Sequence, residues 1–100
     1  MSGLDVARIK ADFPILKREV NDARLVYLDS ASSSQKPVQV LDAMERCYRD
    51  SYANVHRGVY TIAEETTAAF EGGRAKVAQL LHAGSPDEIV FTKNATEAIN

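Results

Sequence analysis

The densest chemistry in the sequence lies in Ile89-Val90-Phe91-Thr92-Lys93-Asn94-Ala95-Thr96-Glu97-Ala98. An apolar, β-favouring run passes through a short polar turn into a helical pattern with Thr96 at its start. A strand-to-helix junction of this kind aims unpaired backbone N–H groups and a hydroxyl at one point, which suits an anion and fits a phosphate. The same residues also fit a plain helix cap, in which the Thr96 hydroxyl serves only the first turn. Spacing alone leaves both roles open.

A second candidate is the adjacent pair His56 and Arg57 in Asn54-Val55-His56-Arg57-Gly58, a loop between two helical patterns. With the serine-rich loop at residues 29–36, it flanks the helix expected from Pro37 onward, where binding residues tend to gather. Solvated surface is the competing reading of the pair. Cys47, the sole thiol, falls in the apolar stripe of a helix and reads as a small buried hydrophobe rather than a nucleophile. One cysteine makes neither an internal disulfide nor a zinc site. Glu64-Glu65 and Asp87-Glu88 read as surface and turn carboxylates. Neither G-x-G-x-x-G nor G-x-x-x-x-G-K-[ST] occurs, so no Rossmann or P-loop signature supports nucleotide binding.

The elements that must position these residues follow from periodicity. Leu4, Ile9 and Phe13, with Ser2 and Asp5 as a capping box, predict a short helix over residues 4–12 that Pro14 ends. Leu25-Val26-Tyr27-Leu28 predicts a buried strand, and residues 29–36 an ordered loop. Pro37 opens a helix over residues 37–52, with Val38, Leu41, Tyr48 and Tyr52 on one stripe. A second long helix starts at Thr61, carries Gly72-Gly73 in its interior, where close backbone packing or a kink is expected, and stops at Gly84. Residues 88–92 predict a second strand. The class is α/β, with two strands that lack enough partners to complete a sheet.

Composition bounds the function. Of 100 residues, 45% are hydrophobic and 26% charged, with 12 basic against 14 acidic, which is ordinary globular composition. A formal net charge of -2 gives no basic excess for a nucleic-acid partner. No stretch approaches the roughly 20 apolar residues of a membrane span, and the N-terminus has no signal-peptide core, so a cytoplasmic protein without a membrane partner is expected. The helical pattern opening at Thr96 stops at Asn100 within its first turn. The sequence is therefore expected to be the N-terminal piece of a longer protein.

Taken in order and spacing, Val26 to Pro37 (Val-Tyr-Leu-Asp-Ser-Ala-Ser-Ser-Ser-Gln-Lys-Pro), Asn54 to Tyr60 (Asn-Val-His-Arg-Gly-Val-Tyr) and Phe91 to Asn100 (Phe-Thr-Lys-Asn-Ala-Thr-Glu-Ala-Ile-Asn) resemble the N-terminal segment of SufS-type cysteine desulfurases. These are pyridoxal 5'-phosphate (PLP) enzymes of the class V aminotransferase group. The resemblance implies a fold type I PLP-dependent transferase, normally a homodimer. It implies residues 1–36 as an N-terminal arm and 37–100 as the start of the large cofactor-binding domain. It further implies removal of sulfur from L-cysteine to give L-alanine, with an enzyme persulfide passed to a sulfur-acceptor protein for iron-sulfur cluster assembly.

By the same resemblance, Thr96 and the backbone of Ala95 match the turn that holds the PLP phosphate. Ser30 and Ala31 match the loop that approaches the substrate, and His56 with Arg57 a loop at the active-site entrance. A Glu97 carboxylate aimed inward would repel phosphate, which favours a structural contact for it. Where many relatives carry Gly-Thr-Thr, this sequence has Asn94-Ala95-Thr96, one hydroxyl fewer. Neither Lys36 nor Lys93 matches the family's Schiff-base lysine, and Cys47 does not match its catalytic thiol. The 100 residues alone are expected to hold no catalytic residue and no metal ligand, and to be inactive. Selenocysteine lyase or another class V enzyme stays open, as does a free-standing, non-catalytic phosphate-binding module.

Overall fold

The computed structural model describes residues 3–100, so the Ser2 half of the expected capping box lies outside the described residues. The chain forms two compact units, Met1–Asp50 and Ser51–Asn100.

In the first unit, helix α1 spans Val6–Ala11. Asp5 is its N-cap, and the Asp5 Oδ1 accepts the Arg8 N–H at 3.0 Å, supplying one acceptor that the first turn lacks. Pro14 ends the helical pattern as expected but also opens a single 3₁₀ turn, Pro14–Lys17. The polar stretch that follows holds a hairpin absent from the sequence reading. Strands β1 (Glu19–Val20) and β2 (Ala23–Arg24) pair antiparallel. Asn21 and Asp22 form its two-residue turn with φ of 52° and 60°, the left-handed pair that a type I′ turn needs and that Asn and Asp tolerate.

Leu25 donates its N–H to the Arg18 carbonyl and adds one bond beyond the hairpin, after which the ladder stops. The strand expected at residues 25–28 is therefore not formed. A strand exists only through inter-strand bonds, and no neighbour pairs with this segment among the described residues. The segment keeps a strand-like alternation, with Leu25 and Tyr27 half-buried and Val26 and Leu28 exposed.

Helix α2 spans Val38–Arg46 and continues through a π turn, Cys47–Ser51, so the expected extent of residues 37–52 holds while the pitch widens at Cys47. Pro37 stands just outside as the N-cap. The first N–H of α2, on Val38, is accepted by the Asp12 carbonyl at 2.7 Å, and the Asp12 Oδ2 accepts from Gln39 Nε2 at 3.0 Å. These two bonds tie the end of α1 to the start of α2, just past the C-terminal end of the serine-rich loop. The stripe predicted on α2 faces solvent, with Val38, Leu41, Tyr48 and Tyr52 all exposed.

In the second unit, helix α3 spans Thr61–Leu80, the long helix the periodicity predicts. It carries the only buried hydrophobic residues among those described, Ala63 and Ala78. Gly72 and Gly73 do not meet the close packing expected of them, since a Cβ at either would find nothing within 4 Å.

Gly84 is not the helix stop. His82 takes the left-handed conformation with φ 55°, its N–H donates to the Gln79 carbonyl at 3.2 Å, and the Ala83 N–H donates to the Ala78 carbonyl at 2.9 Å. That is a Schellman closure with a histidine where glycine is favoured. Left-handed backbone costs a side-chain-bearing residue about 1–2 kcal/mol, and glycine gives back about half of that as chain entropy. His82→Gly is therefore expected to stabilise the protein by about 0.5–1 kcal/mol. Thermal melting of the full-length protein checks this, and a lower melting temperature would contradict it.

Ser85 Oγ accepts the Asp87 N–H at 3.1 Å and starts a 3₁₀ turn, Pro86–Glu88. Ile89 is extended, but the strand expected over 88–92 is not formed, for the same want of a pairing neighbour. Helix α4, Ala95–Ile99, follows directly.

Candidate functional site

The turn into α4 is built by two side chains that satisfy its outer N–H groups. Asn94, in extended conformation, is the N-cap, and its Oδ1 accepts the Glu97 N–H at 2.9 Å. Glu97 reaches back, its Oε2 accepting the Lys93 N–H at 3.0 Å. The pair is a variant of the capping box, with Asn in place of Ser or Thr and the Glu97 carboxylate on the N–H of the residue before the N-cap. The Thr92 hydroxyl donates to the Asn94 carbonyl at 3.1 Å and tightens the turn.

Capping therefore falls to Asn94, and Thr96 occupies the second helical position. This removes the plain-cap reading of Thr96. Its hydroxyl has no partner among the described residues, and the N–H groups of Ala95 and Thr96 meet no acceptor there. Two backbone donors, one hydroxyl and the positive end of the helix are left exposed together. Glu97, the one carboxylate of the turn, is committed to the Lys93 amide, the structural contact expected of it. These donors fit a phosphate group.

The loop at residues 54–58 is anchored on one face of α3. His56 has φ 65°, a left-handed conformation, and its N–H donates to Thr67 Oγ1 at 2.8 Å. Its Nε2 lies 2.6 Å from Glu71 Oε1, and its ring meets the Phe70 ring edge-on at 5.6 Å between centroids. The hydrogen bond to His56 holds the Glu71 carboxyl below its ordinary value, outweighing partial loss of water, with Arg74 adding to the effect. Glu71 is thus ionised at neutral pH, and the short contact requires the imidazole proton on Nε2. Arg57, by contrast, is exposed and makes no hydrogen bond or ion pair among the described residues.

Arg74 is the residue that inspection of the sequence passes over. Its Nε donates to Glu71 Oε2 at 3.0 Å, and its Nη1 donates to the Ile89 carbonyl. The guanidinium lies 5.3 Å from the Phe70 ring centroid and 4.9 Å from that of Phe91, close enough for cation–π attraction to both. An i, i+3, i+4, i+7 row of Thr67, Phe70, Glu71 and Arg74 on α3 is the signal that could have found it.

Ser30 and Ala31 lie in the first unit. The serine-rich loop there is ordered by its own bonds: the Ser32 and Ser33 N–H groups donate to the Asp29 carbonyl, Ser34 Oγ donates to the Ser30 carbonyl at 3.3 Å, and the Tyr27 hydroxyl donates to the Ser33 carbonyl. Ser30 borders a cavity of about 360 Å³ that Ile9, Phe13, Leu16 and Tyr27 also line. Ala31 is exposed. Among the described residues no group of His, Cys, Asp and Glu could hold a metal ion, and no helix is long and apolar enough to cross a membrane.

A family model described as aminotransferase class-V matches residues 26–100. Over 98 residues the chain is 57% identical to a probable cysteine desulfurase of Streptomyces coelicolor, covering 97% of this chain and 23% of that protein. It is 50% identical over 95 residues to a cysteine desulfurase of Yersinia pestis, covering 95% and 23%. Among solved structures, an apo cysteine desulfurase from Thermococcus onnurineus NA1 superposes with a TM-score of 0.82 at 32% identity, covering 99% of this chain and 23% of that one. The chain thus spans about a quarter of the length of the relatives it matches.

Proposed function

The chain belongs to the aminotransferase class-V family, and from that premise we propose that it forms the N-terminal part of a PLP-dependent cysteine desulfurase. The reaction is removal of sulfur from L-cysteine to leave L-alanine, with the sulfur passed to an acceptor protein for iron-sulfur cluster assembly. A cytoplasmic homodimer is the proposed setting. Residues 1–36 are read as its arm and 37–100 as the start of its cofactor-binding domain.

The observation that carries this reading is the turn at residues 94–97. Asn94 and Glu97 cap the turn, which leaves the Ala95 and Thr96 N–H groups and the Thr96 hydroxyl free for one anion. A phosphate monoester matches that donor set in charge and in its number of acceptors. When bound, PLP supplies an electron sink for breaking bonds at the substrate's α- and β-carbons. The chain's own share is to hold the phosphate and to shape the approach. Arg57, with no acidic partner among the described residues, offers a guanidinium suited to the carboxylate of an amino-acid substrate. His56, held by Glu71, keeps that loop in place. Ser30 and Ala31 are proposed as substrate-facing residues of the arm.

The test is made on the full-length protein. It is expected to purify with the visible absorbance of bound PLP and, with a thiol reductant supplying two hydrogens, to convert each L-cysteine to one alanine and one sulfide. A colourless protein that PLP does not stabilise, or one that yields no alanine, refutes the proposal. Selenocysteine assayed in parallel separates a desulfurase from a lyase specific for selenium.

A further inference from the structure

We propose that Glu71 and Arg74 are positioning residues that splint the residue 54–58 loop and the phosphate turn to the same face of α3, so that neither segment holds its geometry independently of the other. The proposal rests on the function just assigned to the two segments.

Thr67, Phe70, Glu71 and Arg74 follow one another at helical spacing and form one stripe of α3. On one side the stripe holds His56 three ways: the Thr67 hydroxyl takes its N–H, Glu71 its Nε2, and Phe70 the edge of its ring. On the other side it holds the segment leading to the turn: Arg74 donates to the Ile89 carbonyl, and Phe70 meets Phe91 edge-on at 5.4 Å. Only Thr92 and Lys93 separate Phe91 from Asn94.

Glu71 is the hinge of the arrangement because its two oxygens face opposite partners. Oε1 takes His56 and Oε2 takes Arg74, whose guanidinium is thereby oriented to reach Ile89 with its remaining donors. Phe70 is likewise shared by both sides. His56 contributes a left-handed backbone that a non-glycine residue keeps only when its surroundings impose it. Removing the Glu71 carboxylate withdraws the His56 tether directly and frees Arg74 to swing away from Ile89, so a change made on the loop side is felt at the cofactor turn.

Full-length Glu71→Ala is compared with the parent by amide hydrogen exchange, with and without PLP, and by the rate of PLP loss after dilution. Exchange is expected to accelerate about fivefold both at residues 54–58 and at residues 89–96, with PLP loss faster by a similar factor, a size suited to a half-exposed ion-pair network. Glu71→Gln, whose amide can still accept from Arg74 and donate to a neutral His56, is expected to restore most of both. Acceleration confined to residues 54–58 would overturn the proposal, because Glu71 would then be a local tether. If Glu71→Ala fails to fold, Arg74→Lys is read in the same way, since an ammonium lacks the rigid fork by which two separate guanidinium nitrogens reach Glu71 and Ile89. A parent protein that binds no PLP refutes the proposed function, while exchange in the apoprotein still decides the splint.

Discussion

Gly58→Ala is expected to destabilise the full-length protein by about 3 kcal/mol, near the top of the range for overpacking a closed position. A Cβ on Gly58 would lie 2.2 Å from the Ala63 Cβ and 2.9 Å from the Tyr60 Cε1. Real carbon atoms do not approach so closely. The Ala63 Cβ has no rotamer by which to retreat: it is fixed to the first turns of α3 and fully buried. Either the helix start or the loop backbone must move, and the loop carries His56 and Arg57 immediately upstream. The substitution should therefore lower the melting temperature and, if the loop faces the substrate as proposed, also raise the KM for L-cysteine more than it lowers kcat. A melting temperature within a degree of the parent's would show that residues 58 and 63 are not packed in this way. Gly58 is required here for lack of space and not for its backbone angle, since its φ is not positive.

How far the sequence led depends on whether each feature is local. Helices α2 and α3 were legible because their hydrogen bonds close within the segment, so that periodicity and the Pro37 signal suffice. The segments at residues 25–28 and 88–92 carry the composition of strands, but a ladder is a property of two segments. The hairpin at Glu19–Val20 and Ala23–Arg24 was missed because its strands are two residues long and polar, with Asn21-Asp22 as its one signal. The residues that close α3 and open α4 are not evident from residue type alone. Glycine is the commoner type at a helix stop, yet His82 takes that role in place of Gly84, and of the two roles open to Thr96 the cap goes to Asn94, because cap geometry is decided by which residue can accept the local backbone angle and reach the right N–H. Of the candidate site, the turn at residues 94–97 was legible as a pattern of residue types. The Glu71 and Arg74 bridge was not, because its partners lie 15 residues away in each direction.

Capping by Asn94 bears directly on the cofactor contact proposed for Thr96, and Thr96→Val tests it. Were Thr96 the cap, losing its hydroxyl would fray α4 and weaken phosphate binding only indirectly. With Asn94 as the cap, valine preserves shape and helix while removing one uncommitted donor. A hydrogen bond to a charged group contributes about 1.5–3 kcal/mol, so PLP affinity of the full-length protein is expected to fall by roughly 10- to 100-fold. Thr96→Ser, which keeps the hydroxyl, should recover most of that affinity. The two free N–H groups of Ala95 and Thr96 remain in both variants, so binding is weakened and not abolished. Asn94→Ala acts through the other route: it leaves the Glu97 N–H without its acceptor, costs about 1 kcal/mol of local helix stability, and should accelerate amide exchange across residues 95–99. If instead Thr96→Val bound PLP as tightly as the parent, the hydroxyl would not touch the phosphate and the assignment of this turn to the cofactor would be lost. If it frayed α4 as Asn94→Ala does, the division of labour between the two residues would be the reverse of the one the geometry gives.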